Sequence, residues 1–261
     1  MSLKGDLARA GIVTDATKNT AATLVRAGNV VVPPKSGLTK NLPVTFDPLA
    51  FTDLFDDFFA FDESQGAQLG YWITTNIAAG LDTGYPAVSS SPGPNGNLLL
   101  VTAGASGDGI AMPYSGTPIL LASGRQFWFM TRVLWPTSTV LPLRIGVGAS
   151  SSNPFTADPN GIYFNFSETQ GKIGTLVKNG SGTNETADHG TDLVADTYYE
   201  VGFYYDGSQV QFYLDRDEIG DPVTTFIPVG LTLTNFMSVR ATAAANQAVA
   251  IDYVRSITPR V

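Results

Sequence analysis

The chain has 261 residues, a formal net charge of −8, 43% hydrophobic residues and only 15% charged ones. It carries no cysteine and one histidine, which excludes a disulfide framework, a zinc–thiolate centre, a thiol nucleophile and a histidine metal cluster. No run of about 18 apolar residues marks a membrane span, and 27 glycines with 16 prolines point to a β domain with many short connections.

Residues 1–45 show no β alternation. Asp15 is placed to cap a short helix with Ala21, Leu24 and Val25 on one face and Gly28 at its end. Asn29 to Val32 then runs extended into Pro33-Pro34, which forbids helix. This stretch holds six basic residues against two acidic ones, a charge of +4, whereas residues 46–261 hold nine against 21, a charge of −12. A basic, irregular arm on an acidic body suits docking on another surface. The residues expected to carry that contact are Arg9, Lys18, Leu24, Val25, Arg26, Val30, Val31, Val32, Lys35, Leu38 and Lys40. The basic residues are too dispersed, and the body too acidic, for nucleic acid to be the expected partner. The N-terminus has no apolar signal core, so classical secretion is not expected.

The body is expected to be one sandwich over residues 46–261. Phe46 to Phe61 is dense in Phe and Asp. Its phenylalanines suit the core, and Asp53, Asp56, Asp57, Asp62 and Glu63 read as solvated turn carboxylates, because the glycine-centred spacing of a calcium loop is absent. Strands are expected at Tyr71-Trp72-Ile73, at Asn97 to Thr102 and around Ile110 to Tyr114. Gln126 to Trp135 is apolar on both faces, the mark of a central strand covered twice. Leu141 to Ala149, Ile162 to Phe166 and Lys172 to Lys178 alternate as strands, and Asn179 to Asp196 is polar and expected to be a hairpin with loose connections.

Tyr198 to Asp215 is the clearest element. Tyr199, Val201, Phe203 and Tyr205 share one side of a first run, and Val210, Phe212 and Leu214 share one side of a second. Asp206-Gly207 between them supplies the positive φ of a tight hairpin. Further strands are expected at Val223 to Ile227, Asn235 to Ala241 and Gln247 to Val254. His189, between Asp188 and Gly190 in a polar loop, reads as a solvated turn residue. On the hairpin face away from the core lie Tyr198, Glu200, Tyr204, Gln211, Tyr213 and Asp215. Tyr204, Gln211 and Tyr213 are the candidate carbohydrate-binding residues, as two rings for stacking with an amide between them.

The hairpin FYYDGSQVQFYLD and the last strand, Ala250-Ile251-Asp252-Tyr253-Val254-Arg255, resemble segments of the concanavalin A-like lectin/glucanase jelly roll. Asp56-Asp57-Phe58 with Trp72 downstream resembles the form seen in tailed-bacteriophage virion proteins. The resemblance implies a jelly-roll β-sandwich. Glucanases of this type carry an E-x-D-x-(x)-E strand, and none of Glu63, Glu168, Glu185, Glu200 and Glu218 lies in such a motif. A non-enzymatic virion protein is therefore expected, with no catalytic residue, cofactor or metal. It would be a capsid decoration or cement protein, a homo-oligomer with a trimer as first guess, held on a major capsid or other virion protein. The alternatives are an adhesin that binds a surface glycan and a glycan-cleaving enzyme with an unrecognised site.

Overall fold

Period-two alternation of apolar residues is realised along the chain as a series of antiparallel strands. The computed structural model describes residues 51–56, 58, 68–69, 72–73, 75–77, 85–89, 97–102, 107–116, 118–135, 142–149, 159–166, 172–241 and 248–259. The arm at 1–45, with Arg9, Lys18 and Leu24 to Lys40, lies outside these residues. Every regular element described is a strand: β1 (Phe51–Asp56), β2 (Gln68–Leu69), β3 (Trp72–Ile73), β4 (Thr75–Ile77), β5 (Tyr85–Ser89) and β6 (Asn97–Val101). Then come β7 (Gly109–Pro113), β8 (Ile119–Leu120), β9 (Phe127–Trp135), β10 (Leu143–Gly148), β11 (Gly161–Phe166) and β12 (Ile173–Asn179). The series ends with β13 (Gly182–Thr186), β14 (Thr197–Tyr205), β15 (Val210–Leu214), β16 (Asp217–Val223), β17 (Thr232–Arg240) and β18 (Ala248–Pro259).

Two eight-stranded antiparallel sheets form the sandwich. The first runs β16-β15-β14-β9-β18-β6-β5, with β1 also on β18, and the second runs β13-β12-β11-β10-β17-β7-β4, with β8 on β17. The inner faces meet in one core that includes Phe129, Val201, Phe203 and Phe212 from the first sheet and Ile145, Phe164, Val177 and Met237 from the second. Phe164 and Phe212 meet edge-on across the sheets, at 5.3 Å between ring centroids. β9 lies in the middle of its sheet, as its two apolar faces imply. Phe127, Phe129 and Val133 enter the main core, while Trp128 and Met130 form a smaller cluster with Tyr204, Tyr213 and Ile257 on the outer face.

The β14–β15 hairpin closes as its sequence implies, with Tyr205 paired to Val210. Asp206 Oδ1 accepts the backbone N–H groups of Ser208 and Gln209 at 2.7 and 2.9 Å. Gly207 has φ 103°, and a Cβ there would come within 2.5 Å of the Gly124 backbone. Only glycine meets both demands.

Three expectations are corrected. The strand after the hairpin is Asp217–Val223, not Val223 to Ile227, and it begins after a two-residue connection, Asp215-Arg216. Its exposed charges mask it as a turn, yet they suit a sheet edge. Phe55 does not enter the core; it is 55% exposed and its ring sits 5.8 Å from that of Tyr253 on the outer face. Asp53 and Asp56 are not merely solvated. Asp53 accepts two hydrogen bonds from Arg255, at 3.0 and 2.8 Å. Asp56 accepts the Trp72 indole N–H at 2.8 Å and the Phe58 backbone N–H at 2.9 Å. Asp56 and Phe58 thus form a latch, with Phe58 at φ 55° and its ring beside Trp72; Asp57 lies outside the described residues.

Candidate functional site

Three strands of the first sheet and one turn build a cleft on its outer face. On β14, Tyr198 and Glu200 alternate outward while Tyr199 and Val201 enter the core. Glu200 is paired across the ladder with Arg132 of β9, and Arg132 with Tyr253 of β18. A register shift between Ile251 and Tyr253 inserts one residue, which turns both Asp252 and Tyr253 to the outer side; bulges re-aim side chains in this way. The cleft has a volume of about 450 Å³ and is lined by Arg132, Tyr198, Glu200, Asp215, Arg216 and Tyr253. That volume suits a small ligand.

The turn that delivers Asp215 and Arg216 is strained. Both residues lie in the left-handed region, at φ 49° and 76°, where a two-residue hairpin connection prefers Asn-Gly. Such positions cost on the order of 1 kcal/mol each or more. Part of that cost is offset locally: Asp215 N–H donates to the Glu200 carbonyl at 2.7 Å, and Glu200 N–H donates to Asp215 Oδ1 at 2.8 Å. The result places a carboxylate and a guanidinium side by side at the mouth of the cleft.

Glu200 is the hub. Arg216 Nε donates to its Oε1 at 3.1 Å, and the Tyr253 hydroxyl donates to its Oε2 at 3.0 Å. Burial, and then the Glu200 carboxylate, push the Tyr253 phenol well above its ordinary value, so Tyr253 stays protonated and donates. Arg132 Nη1 donates to Asp252 Oδ2 at 3.0 Å, and its guanidinium lies 4.4 Å from the centre of the Tyr198 ring. The Tyr198 hydroxyl in turn accepts from the Asn97 amide at 2.8 Å.

The three carbohydrate-binding candidates read from the sequence are elsewhere on this face and are covered. Tyr204 is 8% exposed, Gln211 8% and Tyr213 1%. Tyr204 stacks on Trp128 at 5.2 Å, and the Gln211 amide donates to the Phe212 carbonyl at 3.0 Å. They form no open stacking platform. Glu200, Asp215 and Tyr198 share their alternation and were legible with them, and Arg216 directly follows Asp215 in the sequence; Arg132 and Tyr253 come from other strands, and only strand pairing brings them in. Two smaller clefts, of about 330 and 170 Å³, lie elsewhere, and the larger of these has no charged residue in its lining. Among the described residues no group of three or more His, Asp or Glu is arranged to hold a metal ion.

His189 is not simply solvated. Its Nε2 is 2.9 Å from Thr175 Oγ1 in a shared hydrogen bond, and its ring abuts Gly220 of β16, so it joins the edges of the two sheets. Burial lowers its pKa, and the Asp188 carboxylate only partly opposes this. The unfolded chain therefore binds this proton more readily than the folded one. Folding stability is expected to fall as the pH drops through about 6.5, the unfolded value, towards the lower folded-state value. Urea denaturation at about pH 7.5 and about pH 5.5 measures the loss, and a His189→Gln variant should show less of it.

No protein-family model matches the sequence, and no curated protein matches it significantly. Solved structures do resemble the fold. A protein of unknown function from Shewanella oneidensis MR-1 superposes with a TM-score of 0.57 at 12% identity, covering 99% of this chain and 95% of that one. A glycoside hydrolase family 16 endo-glucanase from Bacteroides ovatus gives 0.51 at 12% identity, covering 77% and 98%. Peanut lectin gives 0.50 at 13% identity, covering 81% and 99%. These likenesses establish the jelly-roll sandwich of lectins and glucanases. They also overturn the expectation of a non-enzymatic chain: endo-glucanases are among the neighbours, and the missing E-x-D-x-(x)-E strand does not exclude carboxylates supplied by separate elements, as Glu200 and Asp215 are here. The comparisons do not show the virion and capsid assignments.

Proposed function

We propose that this chain recognises a glycan in the cleft between Tyr198, Glu200 and the Asp215-Arg216 turn. One observation carries the reading: a cleft of about 450 Å³ that combines aromatic rings with charged hydrogen-bonding groups, built on a strained turn. Sugars present apolar ring faces and hydroxyls that both donate and accept, and tyrosines beside carboxylates and guanidiniums meet both needs. The lectin and glucanase neighbours support a carbohydrate ligand. A glycan array followed by titration calorimetry tests it. Tyr198→Ala and Asp215→Asn, the latter keeping a side chain suited to the left-handed turn, should each weaken binding about tenfold or more, about 1.4 kcal/mol, with circular dichroism showing the fold retained. No binding to any glycan would overturn the reading.

Hydrolysis is the second reading, favoured by two carboxylates in one cleft, since glycosidases use such a pair. Release of reducing sugar that both Glu200→Gln and Asp215→Asn abolish would identify it. The virion setting rests on the sequence resemblance alone. There the sandwich would hold a surface glycan while the arm at 1–45 anchors a homo-oligomer on a capsid or other virion protein.

A further inference from the structure

We infer that the cleft takes a pyranose carboxylate, a uronic- or sialic-acid residue of an acidic glycan. This rests on the glycan reading above and narrows its ligand class.

The inference comes from which polar groups are already spent. Both Glu200 oxygens are engaged, one by Arg216 and one by Tyr253. Asp215 Oδ1 holds the Glu200 N–H, which leaves Asp215 Oδ2 open. A guanidinium has five N–H donors. Arg216 spends its Nε on Glu200, and Arg132 spends one Nη1 donor on Asp252. Their other N–H groups meet no acceptor among the described residues. Each Glu200 oxygen keeps one further lone pair, so the unspent capacity of the cleft is two guanidinium forks against one open carboxylate oxygen and the second acceptor sites of Glu200. A neutral sugar would leave most of those donors to water. A ligand carboxylate matches a fork with two parallel bonds, which are stronger and better oriented than bonds to a hydroxyl.

The forks are also held in place. Arg132 is fixed between Asp252 and the Tyr198 ring, and Arg216 is fixed by Glu200 and by its turn. Side chains ordered before binding lose less freedom when the ligand arrives. In this arrangement the ligand carboxylate faces the arginines, a ring hydroxyl donates to Asp215 Oδ2, and the pyranose lies beside the Tyr198–Arg132 pair. The protein's net charge of −8 opposes acidic polymers at long range, so selectivity has to come from the cleft itself.

The test is titration calorimetry of the full chain with an oligogalacturonate, with sialyllactose and with a neutral cello-oligosaccharide. One acidic ligand should bind at least about tenfold tighter than the neutral one, and which of the two does so separates uronate from sialate. Arg132→Gln and Arg216→Gln should each weaken it about tenfold or more, with circular dichroism and melting unchanged, and Arg216→Lys should fall between. A neutral ligand bound as tightly as the acidic ones overturns the inference and leaves the glycan reading standing. So does acidic binding that ignores both arginine changes, because the site is then elsewhere on the chain. Absence of binding to all three ligands and to a wider glycan array overturns both.

Discussion

Replacing Trp72 with alanine is expected to cost about 3–5 kcal/mol of folding stability. Trp72 is 2% exposed, and its ring lies 6.0 Å from that of Phe58 and 5.2 Å from that of Tyr114. It also pairs with Tyr114 through a backbone bridge, and its indole N–H is held by Asp56. One residue thus ties the end of β1, in the first sheet, to the chain beside β7, in the second. Alanine leaves a cavity and removes the indole bond to Asp56 and the ring contacts with Phe58 and Tyr114, while the backbone bridge remains. Trp72→Phe keeps most of the volume but removes the donor to a carboxylate, and should cost about 1.5–3 kcal/mol. Urea denaturation of the three proteins measures this. A loss below about 1 kcal/mol for alanine would show that the latch bears no weight.

Phe203→Ala should be as damaging, at about 3–5 kcal/mol, for a different reason. Phe203 is fully buried and central to an aromatic group: 5.3 Å from Phe129, and 5.9 Å from both Phe127 and Phe212. Phe212 then reaches Phe164 in the opposite sheet. Close-packed interiors relax only partly around a deletion, so the void persists. For a sandwich of this size each kcal/mol shifts the melting temperature by about 2–4 °C, so a fall on the order of 10 °C is expected. Phe203→Leu should recover most of it. Differential scanning calorimetry decides, and a shift of only a few degrees would mean that the core refills the space.

Much of the sandwich was legible because the signals are local. The period-two runs of β14 and β15 and the Asp206-Gly207 turn sit within one stretch, and both faces of β9 are apolar in the sequence itself. β16 was missed because its residues are charged and its turn, Asp215-Arg216, lacks the glycine or asparagine that announces positive φ. The same blind spot hid the cleft. Glu200 and Asp215 are 15 residues apart and were visible on the hairpin's outer face. Arg132 and Tyr253 reach them only through pairing over 53 residues or more, and through a bulge that no alternation reveals. Tyr204 and Tyr213 look the same in the sequence whether covered or open. Asp56 and Trp72 could be noticed as a pair, but the hydrogen bond between them belongs to the fold.

β18 has twelve residues and joins β1, β6 and β9. Its bond from Arg255 to Asp53 spans 202 residues. During synthesis, β1, β6 and β9 therefore leave the ribosome long before the strand that unites them. Each must wait with open backbone groups and an uncovered apolar face, and contacts of such long sequence separation form slowly. Helpers that shelter nascent chains should matter more to the yield of this protein than its final stability does, and the rate at which β18 emerges should set when the first sheet can close.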